Sequence, residues 1–326
     1  MIDIVFHGQN AATYLADFRA ALVSAARIQV VPDKLSAAAD IQAYRQADVI
    51  VGNRLDATMP RPERARLYQV CAAGYDRIDM AVLPDGAAVC NCHGHGPAIA
   101  EYVMAAILSR CVPLEDAHVR LARGDWHYRA GSPGALHDEI GAATLGLLGY
   151  GHIGQAIARR AKAFGMRVLA ANRSPVPVSG DVDAWFGLDA LDGFYQQSDY
   201  IVVSLPLMPA TEGLVGAAAF ARMRAHAMLI NVGRGPVVDE QALYEALLRG
   251  RIGAAAIDTW YQYPSRAGEV AEPSRLPFAR LDNVIMTPHM SAWTTGTIAR
   301  RAKAMAANVD ACVAGRELAN RVNKPA

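Results

Sequence analysis

Residues 144–173 read TLGLLGYGHIGQAIARRAKAFGMRVLAANR, and the fold is decided here. The apolar run 145–148 suits a buried strand. Gly149, Gly151 and Gly154 complete G-x-G-x-x-G. Ile153, Ile157, Ala158, Ala161 and Phe164 then recur at helical spacing, Gly165 stops the helix, and 166–171 reads as a second strand. Strand, glycine turn, helix and strand in one short unit is the context that gives the motif meaning. Gly149 permits the tight turn, Gly151 lets the main chain approach a pyrophosphate, and Gly154 lets the helix pack close to the sheet. The helix N-terminus offers N–H groups and a partial positive charge to phosphate. The stretch therefore implies a bound dinucleotide.

Working outward, 326 residues are enough for two domains. Hydrophobic residues at 52% against 19% charged predict a large core. Lys+Arg 32 against Asp+Glu 31 leaves a net charge of +1, which argues against nucleic acid held by bulk charge. No apolar run approaches a membrane span, so no membrane partner is expected. The chain starts MIDIVFHGQN, straight into a strand without a charged leader. Five cysteines, an odd number, fit a reduced cytoplasmic protein.

Taken in order, 2–6, 28–31, 49–51, 68–72 and 88–91 read as strands, and 11–26 and 37–46 as helices. This alternation predicts a first parallel sheet. Its opening turn, His7-Gly8-Gln9-Asn10, lacks the glycine fingerprint, so this domain holds something other than the dinucleotide. Cys90, Cys92, His93 and His95 crowd together, but no second ligand pair follows at zinc spacing, and no metal is expected. A helix opens at Pro97 and runs to Cys111, continuing past Pro113 to Leu121. Beyond the central unit, 188–197 reads as a helix and 200–205 as a strand followed by a loop to Thr211. Strands follow at 228–232, 254–257 and 284–286, with helices at 239–249 and 294–315.

Polar residues gather just past these strands, where ligands of open α/β sheets bind. Arg234, Asp258 and His289 each stand one to three residues beyond an apolar strand. Singly they read as a surface cation, a turn cap and a core histidine; together they point to a site. Cofactor choice has its own signal. NAD sites place an acidic residue about 20 positions past the fingerprint, on the ribose 2′-OH. Here that neighbourhood is Asn172-Arg173-Ser174. With no carboxylate to repel a 2′-phosphate and Arg173 offering a charged fork, NADP is expected, NAD remaining possible. The alternative is that Arg173 stacks on the adenine, as in NAD enzymes.

At these residues the chain resembles the D-isomer-specific 2-hydroxyacid dehydrogenases. The resemblance is densest in Gly74-Tyr75-Asp76, Ile99-Ala100-Glu101-Tyr102, the fingerprint, Leu205-Pro206-Leu207, Asn231-Val232-Gly233-Arg234-Gly235, Ile257-Asp258 and Thr287-Pro288-His289. It implies two doubly wound parallel-sheet α/β (Rossmann-like) domains with a cleft between them, assembled as a homodimer. The dinucleotide-binding domain would span 101–289 and the substrate domain 1–100 plus 290–326. It implies an NAD(P)-dependent oxidoreductase acting on the CH–OH group of a small 2-hydroxy acid, or on the matching 2-keto acid of the glyoxylate or hydroxypyruvate kind. His289 would be the acid/base and Arg234 would hold the carboxylate, with Ala73, Gly74, Tyr75 and His95 also on the substrate. Cofactor contacts would come from Gly149, Gly151, His152, Ile153, Gly154, Asn172, Arg173, Ser174, Leu205, Pro206, Thr211, Val232, Gly233, Asp258 and Ser291, the last two on the carboxamide. The chemistry agrees: histidine titrates near neutral pH, and a guanidinium fork matches a carboxylate.

One position departs from the pattern. The family commonly places a glutamate five residues after the aspartate, beside the histidine; here that residue is Tyr263, counted as part of the catalytic set. A shifted alignment would use Glu272 instead. Formate dehydrogenases, a branch with a neutral glutamine there, supply an alternative reading, as do NAD-sensing corepressors of the same fold.

Overall fold

The computed structural model describes residues 1–264 and 268–323. The chain divides into two compact units, Met1–Gly94 joined by the stretch from Thr294, and His95–Trp293. The helix Gly96–Cys111 lies whole in the second unit, where a boundary at 100/101 would cut it.

The first unit holds a five-stranded parallel sheet. Its strands are β1 (Ile2–His7), β2 (Ala26–Val31), β3 (Val49–Gly52), β4 (Leu67–Val70) and β5 (Ala88–Cys90), in the order β2-β1-β3-β4-β5. Strands buried on both faces need near-continuous apolar sequence, and β3 to β5 have it. Alternate residues feed two cores. Ile4, Phe6, Val49, Val51 and Leu67 face the helix Thr295–Val313, and Val5, Ile50, Tyr68 and Val89 face the other side. The region expected as one helix over 11–26 is two, Gly8–Ala12 and Leu15–Ala21, and β2 begins at Ala26. β2 is an edge strand with several exposed residues, so its start carries little apolar signal.

The second unit holds seven parallel strands: β6 (Thr144–Leu148), β7 (Arg167–Ala171), β8 (Ala184–Phe186), β9 (Tyr200–Val203), β10 (Met228–Asn231), β11 (Ala254–Ile257) and β12 (Val284–Met286). Their order is β12-β11-β10-β9-β6-β7-β8. Here too the pleat sends alternate residues to two cores. Leu148, Leu169, Ile201, Leu229 and Ala255 pack on one face, and Leu147, Val168, Val202, Ile230 and Ala256 on the other. Each such Leu or Ile, taken out of water, contributes roughly 1.5–3 kcal/mol. The helix His152–Ala163 packs on Gly96–Cys111, and both cover the second of these faces. The order reverses between β6 and β9, which makes the gap beyond their C-terminal ends the ligand-binding edge. Among the described residues no single helix is long and apolar enough to cross a membrane.

Candidate active site

The glycine turn sits at that reversal. Gly149 follows β6 with φ +106, a conformation open to glycine at little cost. Ser204, just past β9, donates its hydroxyl to the Gly149 carbonyl at 3.1 Å and ties the two strand ends together. A Cβ on Gly154 would run into the Gly149 carbonyl oxygen, so this glycine is required by packing. Gly151 differs: a Cβ there would meet nothing within 4 Å. The open space at Gly151 leaves room for a ligand to approach the main chain. The N-cap of the helix that follows is Gly151 itself, which has no side chain to cap it. An exposed, uncapped helix N-terminus beside an open glycine fits a dinucleotide pyrophosphate.

Beyond β7, Asn172 turns its amide back onto the Ser174 carbonyl at 3.1 Å. Arg173 and Ser174 are exposed, and among the described residues the Arg173 guanidinium has no hydrogen-bond or ion-pair partner. Past β9, Leu205 is buried and Pro206 exposed. Thr211 is buried and its hydroxyl donates to the Pro206 carbonyl at 2.7 Å, which closes the loop on itself. Sequence reasoning placed β9 through 205; it ends at Val203, because the Leu-Pro step leaves the sheet.

Past β10, the buried Asn231 clamps the next turn. Its amide donates to the Arg234 carbonyl at 3.2 Å and its oxygen accepts from the Gly233 N–H at 3.2 Å. Val232 and Gly233 are buried, and Arg234 is half-buried. Arg234 donates to the Gly233 carbonyl at 2.9 Å. Its charge reaches both Tyr263 and His289.

Past β11 stands Asp258, fully buried. Its carboxylate accepts from the Thr287 hydroxyl at 2.6 Å and from the N–H groups of Met290 and Ser291 at 2.8 and 3.0 Å. A buried carboxylate needs such donors, and these three hold the segment that follows β12. In that segment His289 takes φ +58, a left-handed conformation that costs a non-glycine residue on the order of 1–3 kcal/mol. Its Nδ1 lies 3.0 Å from the Tyr263 hydroxyl, which also accepts the Trp260 main-chain N–H at 3.0 Å. With Nδ1 engaged, Nε2 is left for chemistry. Burial pulls the imidazole below its ordinary pKa; the Asp258 charge opposes this and Arg234 adds to it. Burial raises the Tyr263 phenol, so this partner is neutral. Glu272 is exposed and makes no hydrogen bond or ion pair among the described residues. The structure thus brings Arg234, Asp258, Tyr263, His289 and Ser291 to one edge of the seven-stranded sheet.

His95 is buried at the start of the helix Gly96–Cys111. In the first unit, Ala73, Gly74 and Tyr75 lie in the loop after β4. Asn91 donates to the Ala73 carbonyl at 2.8 Å. The N–H groups of Gly74 and Tyr75 donate to no protein acceptor among the described residues. Cys90 and Cys92 are buried in that unit's core, and among the described residues no group of three or more His, Cys, Asp or Glu is placed to hold a metal ion.

Sequence reasoning missed the scaffold of this site. Tyr102 meets the Thr287 hydroxyl at 2.8 Å, and the Trp260 indole N–H donates to the Thr287 carbonyl at 2.8 Å. Tyr102 lies in one of the resembling segments, but no spacing pairs it with Thr287.

The family model for the D-isomer specific 2-hydroxyacid dehydrogenase NAD binding domain matches residues 104–291. Glyoxylate/hydroxypyruvate reductase B of Yersinia enterocolitica is 32% identical over 295 residues, 87% of this chain and 86% of that protein. D-3-phosphoglycerate dehydrogenase of Methanocaldococcus jannaschii is 31% identical over 294 residues, 87% of this chain; the chain spans 53% of that longer protein. A D-isomer specific 2-hydroxyacid dehydrogenase of Xanthobacter autotrophicus, solved in complex with NADPH and MES, superposes with a TM-score of 0.78 at 26% identity, covering 99% of this chain and 98% of that one. The chain belongs to the D-isomer specific 2-hydroxyacid dehydrogenase family, NAD(P)-dependent oxidoreductases acting on a CH–OH group.

Proposed function

We propose that this chain reduces a small 2-keto acid of the glyoxylate or hydroxypyruvate kind, with NADP preferred and NAD possible. The observation that supports it best is the Tyr263–His289 pair beside Arg234, on the same strand edge as the glycine turn. The Yersinia relative's name supports the substrate class.

A bound nicotinamide supplies the hydride for C2 of the acid. The chain's residues do the rest. Gly149, Gly151, His152, Ile153 and Gly154 hold the pyrophosphate. Asn172, Arg173 and Ser174 take the ribose and its 2′-phosphate. Leu205, Pro206, Val232 and Gly233 wall the cofactor, Thr211 shapes that wall, and Asp258 and Ser291 order the carboxamide end. Arg234 grips the substrate carboxylate through its fork. His289 gives its Nε2 proton to the developing alkoxide while Tyr263 steadies Nδ1. His95 belongs to the substrate side, and the N–H groups of Gly74 and Tyr75, which donate to no acceptor among the described residues, suit an anionic oxygen.

The chain also reads as a cytoplasmic homodimer. All five cysteines are buried free thiols, which supports a reducing compartment. The helix Leu114–Leu121 has no buried residue, and Leu114 and Trp126 are 74% and 65% exposed, apolar surface that a second copy would cover. Light scattering on the purified chain tests this: twice the chain mass is expected, and monomer alone refutes it.

The test of function is NADPH and NADH oxidation against glyoxylate, hydroxypyruvate, pyruvate and phenylpyruvate, with formate oxidation as a separate arm. Turnover of a 2-keto acid is expected. Tight cofactor binding with no turnover in any arm would favour a cofactor-sensing role instead.

A further inference from the structure

We propose that Trp260 is a positioning residue that holds His289 by its backbone and by its ring at the same time. The inference deepens the reading above, since it concerns the histidine taken there as the acid/base.

Two bonds carry it. The Trp260 indole N–H donates to the Thr287 carbonyl at 2.8 Å. That carbonyl also accepts the His289 N–H at 3.0 Å, closing the tight turn in which His289 takes its left-handed conformation. Trp260 therefore fixes the pivot of the turn. Its main-chain N–H donates to the Tyr263 hydroxyl at 3.0 Å, and that hydroxyl meets His289 Nδ1 at 3.0 Å. So the same residue also fixes the partner that orients the ring.

The surroundings leave Trp260 little room to move. It is 5% exposed and stands edge-on to Phe278, with ring centroids 6.1 Å apart. A Cβ on Gly235 would collide with the Trp260 carbonyl, so the Arg234–Gly235 turn rests on the same main chain. Asp258 pins the far side of the histidine through Met290 and Ser291. A hydroxyl is a softer guide for an imidazole than a carboxylate, because it attracts no charge. In a site that relies on Tyr263, the ring's placement depends more heavily on what holds the hydroxyl and the turn.

The test removes the indole donor and keeps the shape. Trp260→Phe loses it with part of the ring; replacing Trp260 by 3-benzothienylalanine loses it at nearly constant volume, and decides the matter if the first variant does not fold. The His289 ring titration is followed by NMR, assigned against His289→Gln, beside NADPH-dependent glyoxylate reduction. The proposal expects the titration to move toward that of free histidine. It expects kcat to fall about tenfold or more, as small misplacements of a reacting group do, with KM for glyoxylate within about twofold. A lower melting temperature with wild-type kcat and wild-type titration would mean Trp260 is merely structural and would overturn it. If the wild type reduces no keto acid, the functional reading fails, and the NMR arm still decides: an unmoved titration in the benzothienyl variant overturns the proposal.

Discussion

The Tyr263 hydroxyl lies 3.0 Å from Nδ1 of His289, five residues after Asp258, where the family resemblance leads one to expect a glutamate. A carboxylate there would only accept, and its charge would stabilise the imidazolium. A neutral hydroxyl can donate to a bare Nδ1 or accept from a protonated one, and it adds no charge. Burial already holds His289 below its ordinary value of 6.5. Reduction consumes the protonated ring, so kcat/KM for a 2-keto acid should be full at acid pH and fall as pH rises through a value below 6.5.

Tyr263→Glu should reverse this. The new carboxylate favours the charged ring, and the falling limb should move up by about 1 pH unit or more. Glu272→Gln should leave the profile where it is, because Glu272 is exposed and among the described residues makes no hydrogen bond or ion pair with the histidine. The profiles of both variants beside wild type check the assignment; a shift with Glu272→Gln and none with Tyr263→Glu would reject it.

Two glycines of one motif should respond in opposite ways to the same change. At Gly151 an added methyl meets nothing within 4 Å, so Gly151→Ala should fold with a melting temperature close to wild type while cofactor affinity falls about tenfold or more. At Gly154 the methyl meets the Gly149 carbonyl oxygen, so Gly154→Ala should cost about 1–3 kcal/mol of stability before any ligand is added. Thermal melts and a cofactor titration separate the two. Unchanged cofactor affinity in Gly151→Ala would argue against the main chain approaching a phosphate there.

Cofactor choice rests on the end of β7. Arg173 is exposed, its guanidinium has no partner among the described residues, and no carboxylate stands at Asn172 to repel a 2′-phosphate. NADPH should be used more efficiently than NADH, Arg173→Ala should erode that preference, and Asn172→Asp should turn it toward NADH. Paired kcat/KM values for the two cofactors measure this. Equal or better efficiency with NADH in the wild type would leave Arg173 as an adenine cover.

Where the sequence was legible, a local pattern and a physical requirement coincided. The glycine turn, Arg234, Asp258 and His289 could be placed because apolar runs mark buried strands and polar residues just past them mark the ligand edge. β8 escaped because Ala184–Phe186 is three residues long and only partly buried, and, unlike the equally short β12 with its Thr287-Pro288-His289 end, no motif follows it. The helix Ala217–Arg222 escaped for a similar reason, being under two turns long. Of the expected helix over 188–197 only Asp192–Gln197 forms, because Gly187 to Ala190 make a turn and Leu191 is the N-cap. The scaffold of the histidine was hidden for a deeper reason. Trp260 reaches Thr287 across 27 residues and Tyr102 reaches it across 185, and no local spacing records such pairs.

In the proposed NADPH-dependent reduction of a 2-keto acid, His289 passes a proton and Arg234 holds the carboxylate. This assignment is tested most directly by single-turnover oxidation of bound NADPH by glyoxylate or hydroxypyruvate in wild type, His289→Ala and Arg234→Ala, with cofactor affinity measured on the same samples. Loss of the acid should slow the step by about 10²–10⁴-fold, the usual weight of a positioned general acid, and Arg234→Ala should fall comparably, with NADPH affinity within about twofold of wild type in both. Wild-type rates in His289→Ala, on whichever keto acid the wild type reduces best, would rule out His289 as the proton donor.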